Sequence, residues 1–168
     1  HFRRGTHRLV PPEVTWERIQ PILRALGITR VADVTGLDDV GIPVHQAIRP
    51  ASHTLSVSQG KGVTHELARV SAAMEMIELA HAEVIDQPVQ RGPASELLDG
   101  GAYRLRQLQL VPGSLVGDSV VLDWIPSRGL LSGGTVPVPR AYVEVSNVVR
   151  REWSPPLFEA STNGLASG

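Results

Sequence analysis

A chain of 168 residues is long enough for one ordinary domain with its own core, and its 42% hydrophobic and 20% charged composition is that of a folded protein. A net charge of −1 argues against the broad basic surface that nucleic acid demands. The chain contains no cysteine, which excludes disulfides, thiolate metal centres and cysteine nucleophiles, and no apolar run is long enough for a bilayer span, so a cytoplasmic protein with no membrane partner is expected.

Residues 1–14 are basic and irregular, with Arg3, Arg4, His7 and Arg8 ahead of Pro11-Pro12. Thr15 is a good N-cap residue and Glu17 suits the positive end of a helix dipole. A helix is therefore predicted from about Trp16 to Leu26, stopped by Gly27, with a kink or a late start at Pro21. Thr29 to Thr35 reads as a strand, Gly36 to Gly41 as a turn, and Pro43 to Arg49 as a second strand in a hairpin-like pair. His53 to Ser58 reads as a third strand that delivers the chain to Gly60-Lys61-Gly62.

The next segment, Thr64 to about Ile85, is predicted as a long helix. At 100° per residue, Leu67, Val70, Met74, Ile77, His81 and Val84 form an apolar stripe. Ala68, Ser71, Ala72, Glu75, Glu78 and Ala82 form a second face, small apart from its acids. His65, Arg69, Met76 and Glu83 form a third face, expected to be wet. Beyond it, prolines and glycines mark loops, with short helical pieces near Ala94–Leu98 and Tyr103–Leu108. Ser119 to Trp124 and Val136 to Val145 read as strands, and Pro137 and Pro139 push the second of these to an edge or a bulge. Helices and strands alternate without a βαβ rhythm, so the fold class is α+β.

Three features could carry chemistry. Gly60-Lys61-Gly62 at a helix entrance would let backbone amides approach a phosphate, or it is a strand-to-helix turn with a solvated lysine. It is not a Walker A loop, because the upstream glycine and the Ser or Thr after the lysine are missing. Glu75 and Glu78, at i,i+3, put two like charges on one helical face; a cation between them would relieve the repulsion, and the alternative is a solvated acidic face. The histidines show no HExxH or HxH pairing, and His81 is expected to be a hydrogen-bonded core residue.

Taken in order, several segments resemble the YcaO family of ATP-dependent peptide-backbone modifiers. They are Arg4-Gly-Thr-His-Arg8 with Thr15, Thr35-Gly-Leu-Asp-Asp-Val-Gly-Ile-Pro-Val44, Arg49-Pro50, Ser56-Val-Ser-Gln-Gly-Lys-Gly62 and Ala68-Arg-Val-Ser-Ala-Ala-Met-Glu-Met-Ile-Glu78. Trp124 with Pro137-Val-Pro139, and Ser161-Thr-Asn-Gly-Leu-Ala-Ser-Gly168, complete the set. The resemblance implies a YcaO-like fold and a site for ATP and Mg2+ unlike the P-loop. It places Ser71, Glu75 and Glu78 on the nucleotide and its metals, with Glu75 and Glu78 as metal ligands. By spacing it assigns Arg8 and Thr15 to the nucleotide, with Arg4 a competitor for the first role.

The activity it implies is phosphorylation of an amide oxygen by ATP, leading to an azoline (the cyclodehydratase outcome) or, with a sulfur donor, to thioamidation. The substrate would be a precursor peptide or protein, as in biosynthesis of ribosomal peptide natural products (RiPPs). The opening segment and Thr35 to Val44 look most like stand-alone members with TfuA-type partners, which favours the thioamide; a homodimer is also compatible. One departure stands out. The family pattern leads into a second helix of E-x-x-E type, and Thr162 interrupts that pattern here, with no such helix in the 168 residues. Residues 1–168 are therefore expected to be the N-terminal portion of a YcaO domain, inactive alone. The other reading is a non-catalytic subunit that binds a peptide or partner and is completed by a second polypeptide.

Overall fold

The computed structural model describes residues 8–98, 101, 103–145 and 157–158. They form two compact units, His1–Glu83 and Val84–Gly168, each with its own three-stranded antiparallel sheet. The α+β class expected from the sequence is what the elements show.

In the first unit, helix α1 spans Pro12–Ala25. It starts four residues before the predicted position because Pro12 can occupy the first turn, where its missing N–H costs nothing. Thr15 is consequently inside that turn, not capping it, with its amide 3.2 Å from the Pro11 carbonyl. Pro21 lies on the exposed side and the helix continues through it. Gly27 ends the helix as anticipated, in the left-handed region at φ +72° that suits a residue without a side chain.

Strands β1 (Arg30–Asp33), β2 (Val44–Ile48) and β3 (Val57–Lys61) follow in the order β1-β2-β3. The third strand begins four residues later than predicted and contains Gly60 and Lys61, which are thus strand residues, not a loop. The register is fixed by pairs such as Asp33↔His45 and His45↔Gly60.

Helix α2, His65–Glu83, lies across this sheet. Ala72, Ala73, Met76 and Ile77 from α2 meet Ile19 and Leu23 from α1 and Ala47 from β2 in one apolar core. The close approach is made possible by glycine. A Cβ on Gly60 would lie 2.7 Å from the Ala72 Cα, and one on Gly62 would lie 2.6 Å from the Ala68 amide. Ser58, buried in β3, donates a 2.8 Å hydrogen bond to the Ala72 carbonyl and fastens strand to helix.

The faces of α2 differ from the predicted ones. Met76 and Glu83 are buried, whereas Met74 is 40% exposed and His81 is exposed, its Nδ1 2.7 Å from the Ile77 carbonyl oxygen. Alanines at 68, 72, 73, 80 and 82 are buried together with Leu67, Val70, Met76 and Ile77, so small residues share the packed side with large apolar ones.

The second unit holds β4 (Gln90–Pro93), β5 (Val121–Arg128) and β6 (Thr135–Pro139), with two single-turn helices, α3 (Ala94–Leu97) and α4 (Arg140–Val143). The sheet order is β4-β5-β6, which puts the prolines of β6 on an edge, as their missing N–H groups require. Trp124 is 1% exposed, donates from Nε1 to the Gly92 carbonyl at 2.9 Å, and anchors a core with Leu105, Leu122 and Phe158. The Ser161 to Gly168 motif lies outside the described residues. No described helix is long and apolar enough to cross a membrane.

Candidate functional site

The exposed side of α2 is where the acids are. Glu75 and Glu78 are both exposed, and Ser71, one turn earlier, is half-buried on the same side. Of the side expected to be wet, Met76 and Glu83 are buried, whereas His65 is exposed. Partial burial of its carboxyl, and then the neighbouring charge of Glu78, raise the Glu75 acid above its ordinary range. A carboxylate held in this way is relieved by a proton or by a cation. The hydroxyl of Ser71 and the two carboxylates offer only oxygen, the donor set that magnesium and phosphate-bound magnesium prefer.

Two contacts fix α2 as a platform. Near its start, the Arg69 guanidinium lies over the Trp16 ring, 4.1 Å from its centroid, which joins the first half of α2 to α1. Thr15, half-buried, precedes that tryptophan, and Arg8 is exposed in the segment leading into α1. The site residues thus divide into two places: Ser71, Glu75 and Glu78 on α2, and Arg8 and Thr15 at the approach to α1.

At the other end, Glu83 has a side chain with 0% exposure. Its Oε2 accepts from Arg49 Nη1, and its Oε1 accepts from Ser52 Oγ at 2.5 Å, Thr54 Oγ1 at 2.7 Å and the Thr54 amide at 3.1 Å. Burial alone would raise this acid. The hydrogen bonds from Ser52, Arg49 and Thr54 outweigh it and hold the carboxyl at about 2. Arg49 also donates from Nε to the Leu26 carbonyl at 2.9 Å. Sequence reasoning placed Glu83 in water, because its partner lies 34 residues away in the chain.

Lys61 is exposed at the end of β3, and the two flanking glycines face the backbone of α2. The glycines therefore serve close strand-to-helix packing, and of the two readings of Gly60-Lys61-Gly62 only the solvated lysine of the second matches the geometry, since Gly60 and Lys61 belong to a strand. The fold also groups two of the histidines. Scattered in sequence, His45 and His65 come together with Asp33, with one ligand atom of each within 4.8 Å of the others. A register pair between strands and a residue at a helix start produce this grouping, which no local motif reveals.

Comparison with known proteins adds the following. Residues 59–168 match a family model described as YcaO cyclodehydratase, ATP- and Mg2+-binding. An uncharacterised protein of Mycobacterium tuberculosis is 48% identical over 166 residues, 99% of this chain and 38% of that protein. An uncharacterised protein from the tfuA 3′ region of Rhizobium leguminosarum bv. trifolii is 40% identical over 167 residues, 96% of this chain and 38% of its own length. Among solved structures, YcaO from Methanopyrus kandleri bound with AMPPCP and Mg2+ is 27% identical with a TM-score of 0.61, covering 94% of this chain and 38% of that one. The chain thus spans well under half the length of these relatives.

Proposed function

Because this chain belongs to the YcaO family, we propose that the exposed face of α2 is one wall of a site for ATP and Mg2+ that modifies a peptide backbone amide. The observation that carries this reading is the position of Ser71, Glu75 and Glu78. They fall within the matched residues, share one open helix face, and include a carboxyl whose acidity is shifted in the direction that a cation corrects.

Glu75 and Glu78 would hold magnesium, and Ser71 would contact the nucleotide. Arg8 and Thr15 would approach its phosphates from the entry to α1. When bound, Mg-ATP supplies the phosphoryl group that turns an amide oxygen, otherwise a very poor leaving group, into phosphate. The protein's part in such a transfer is positioning and charge neutralisation, for which carboxylates, a hydroxyl and a guanidinium suffice. An internal side-chain nucleophile on the amide carbon would give an azoline. An external sulfide would give a thioamide. We favour the thioamide and a TfuA-type partner; the Rhizobium relative from the tfuA 3′ region is in keeping with this.

The remaining ligands of such a site would come from outside these 168 residues, since the relatives are more than twice as long. Met74, 40% exposed one turn before Glu78, is a single apolar side chain that such a second wall would cover. The same exposed surface suits the second reading, a binding subunit completed by another polypeptide.

The test is mass spectrometry of a peptide incubated with Mg-ATP and the full polypeptide that carries this chain. Exchange of oxygen for sulfur adds about 16 Da and cyclodehydration removes about 18 Da, changes set by atomic composition alone. A peptide of unchanged mass, with no ATP consumed, would refute the enzymatic reading and leave the binding-subunit reading in place.

A further inference from the structure

A second cluster of ligating side chains lies in the first unit, on residues unrelated to the α2 acids. Asp33 ends β1, His45 stands opposite it in β2, and His65 is the first residue of α2. One ligand atom from each lies within 4.8 Å of the other two, and the Asp33 Oδ2 to His65 Nδ1 distance is 3.2 Å.

The three residues are held by the fold in different ways. Asp33 Oδ1 accepts from the Thr35 hydroxyl at 2.6 Å and from the Thr35 amide at 3.0 Å, which orients the carboxylate. Its other oxygen is the one facing His65. The rings of His45 and His65 meet edge to face, with centroids 5.6 Å apart. His45 is only 6% exposed, yet its Nδ1 has no hydrogen-bond partner among the described residues. A buried imidazole nitrogen without a partner is costly, and a metal ion bound at that nitrogen would supply the missing partner. Asp33 and His65 are about half exposed, so an ion has a path from solvent.

We propose that Asp33, His45 and His65 form a binding site for a divalent transition-metal ion of the zinc type. Two imidazoles and a carboxylate suit Zn2+ or Co2+, whereas Mg2+ prefers all-oxygen ligands. Three protein ligands leave one position of a tetrahedron for water or an anion. The Thr35 contacts supply the outer support that orients a ligating carboxylate. The cross-strand pair sets two ligands and the helix start sets the third, so binding would pin the beginning of α2 to the β1–β2 hairpin.

The test uses the EDTA-treated 168-residue chain, titrated with Co2+ in the presence of excess Mg2+ and followed by visible absorption, then challenged with Zn2+. The expected result is one Co2+ per chain with d–d bands, displaced by Zn2+, and a binding constant weakened about tenfold or more in His65→Ala and in Asp33→Asn. Glu75→Ala is expected to leave Co2+ binding unchanged, which separates this site from the α2 acids. His65 is exposed, so His65→Ala keeps the fold and decides the matter should Asp33→Asn disturb it. Absence of intense d–d bands beyond those of aqueous Co2+ in the parent chain, or Co2+ binding undiminished in His65→Ala, overturns the proposal.

Discussion

Gly60 approaches Ala72 so closely that a methyl group on the glycine would sit 2.7 Å from the alanine Cα. Backbone, not a flexible side chain, would have to yield. Gly60→Ala is therefore expected to cost about 3 kcal/mol, at the upper end of overpacking penalties, or to prevent folding. Lys61→Ala, one residue away and exposed, is expected to change stability by under about 0.5 kcal/mol. It should also leave Mg-ATP affinity nearly intact, because the lysine is not among the proposed ligands. Urea denaturation and nucleotide titration of both variants check this pair; a large loss of affinity in Lys61→Ala would return the glycine–lysine segment to the phosphate.

The α2 acids make the opposite prediction. Glu75→Ala and Glu78→Ala, both at exposed positions, are expected to keep the fold and to lower Mg-ATP turnover of the full polypeptide by about a hundredfold or more, the scale of losing a preorganised charge contact. Glu78→Gln removes a like-charge neighbour and should raise thermal stability slightly while reducing activity. A variant that is more stable yet inactive is the signature of a functional charge pair; retention of full activity in both alanine variants would exclude Glu75 and Glu78 as ligands.

The same pair has a pH signature. Glu75 has a folded-state acidity shifted upward from the ordinary 4.5, first by burial and then by Glu78. The folded chain therefore holds this proton more tightly than the unfolded one, and the group's contribution to stability falls as pH rises from 4.5 through the raised value. Glu78→Gln should shift the Glu75 titration downward without restoring it fully, since burial remains. Carboxyl-carbon NMR of the labelled chain reads both effects, and saturating Mg2+ should narrow the difference if both acids hold the ion.

Glu83 behaves in the reverse sense. Its folded value of about 2 lies below the ordinary 4.5, so the stabilisation is complete above 4.5 and is lost as pH falls toward 2. The shift corresponds to about 3 kcal/mol, an order-of-magnitude figure for a carboxyl removed from solvent. Glu83→Ala, which leaves Arg49 nearly buried and without its anion, should cost about 3–5 kcal/mol at neutral pH. Denaturation midpoints of parent and Glu83→Gln chains from pH 7 to pH 2.5 should converge at the acid end. Parallel curves would mean that Glu83 is not the group whose protonation destabilises the fold.

The isolated 168-residue chain should show no Mg-dependent ATP turnover, although weak Mg-ATP binding is compatible with one wall of a site. Hydrolysis that depends on magnesium and disappears in Glu75→Ala would show the site to be complete within these residues.

What the sequence conveyed and what it withheld follow from the range of the forces involved. Helix α2 was visible from its length and composition, and Gly27 as a stop from its conformational freedom, because both are local effects. The orientation of α2 was visible only in part: Leu67, Val70 and Ile77 of the expected stripe are buried, whereas Met74 and His81 are exposed. With five alanines on the packed side, the large apolar residues Met74 and Met76 gave no reliable direction, and Glu83 looked like a solvent residue until Arg49 was brought to it. β4, Gln90–Pro93, carries no β-branched residue and exists through pairing with β5. The grouping of Asp33 with His45 depends on strand register, which spacing does not specify. The acid spacing of Glu75 and Glu78 was legible because i,i+3 geometry belongs to any helix.

The buried Glu83 network and the Arg69–Trp16 contact have a consequence for ligand capture. They clamp α2 at both ends, and the Ser58 bond and the two glycines hold its middle against the sheet. A rod secured along its length has little motion to surrender when a nucleotide arrives. The entropic penalty of closure therefore falls on whatever meets this face, and the acids of α2 act as the fixed jaw of a vice whose other jaw does the moving.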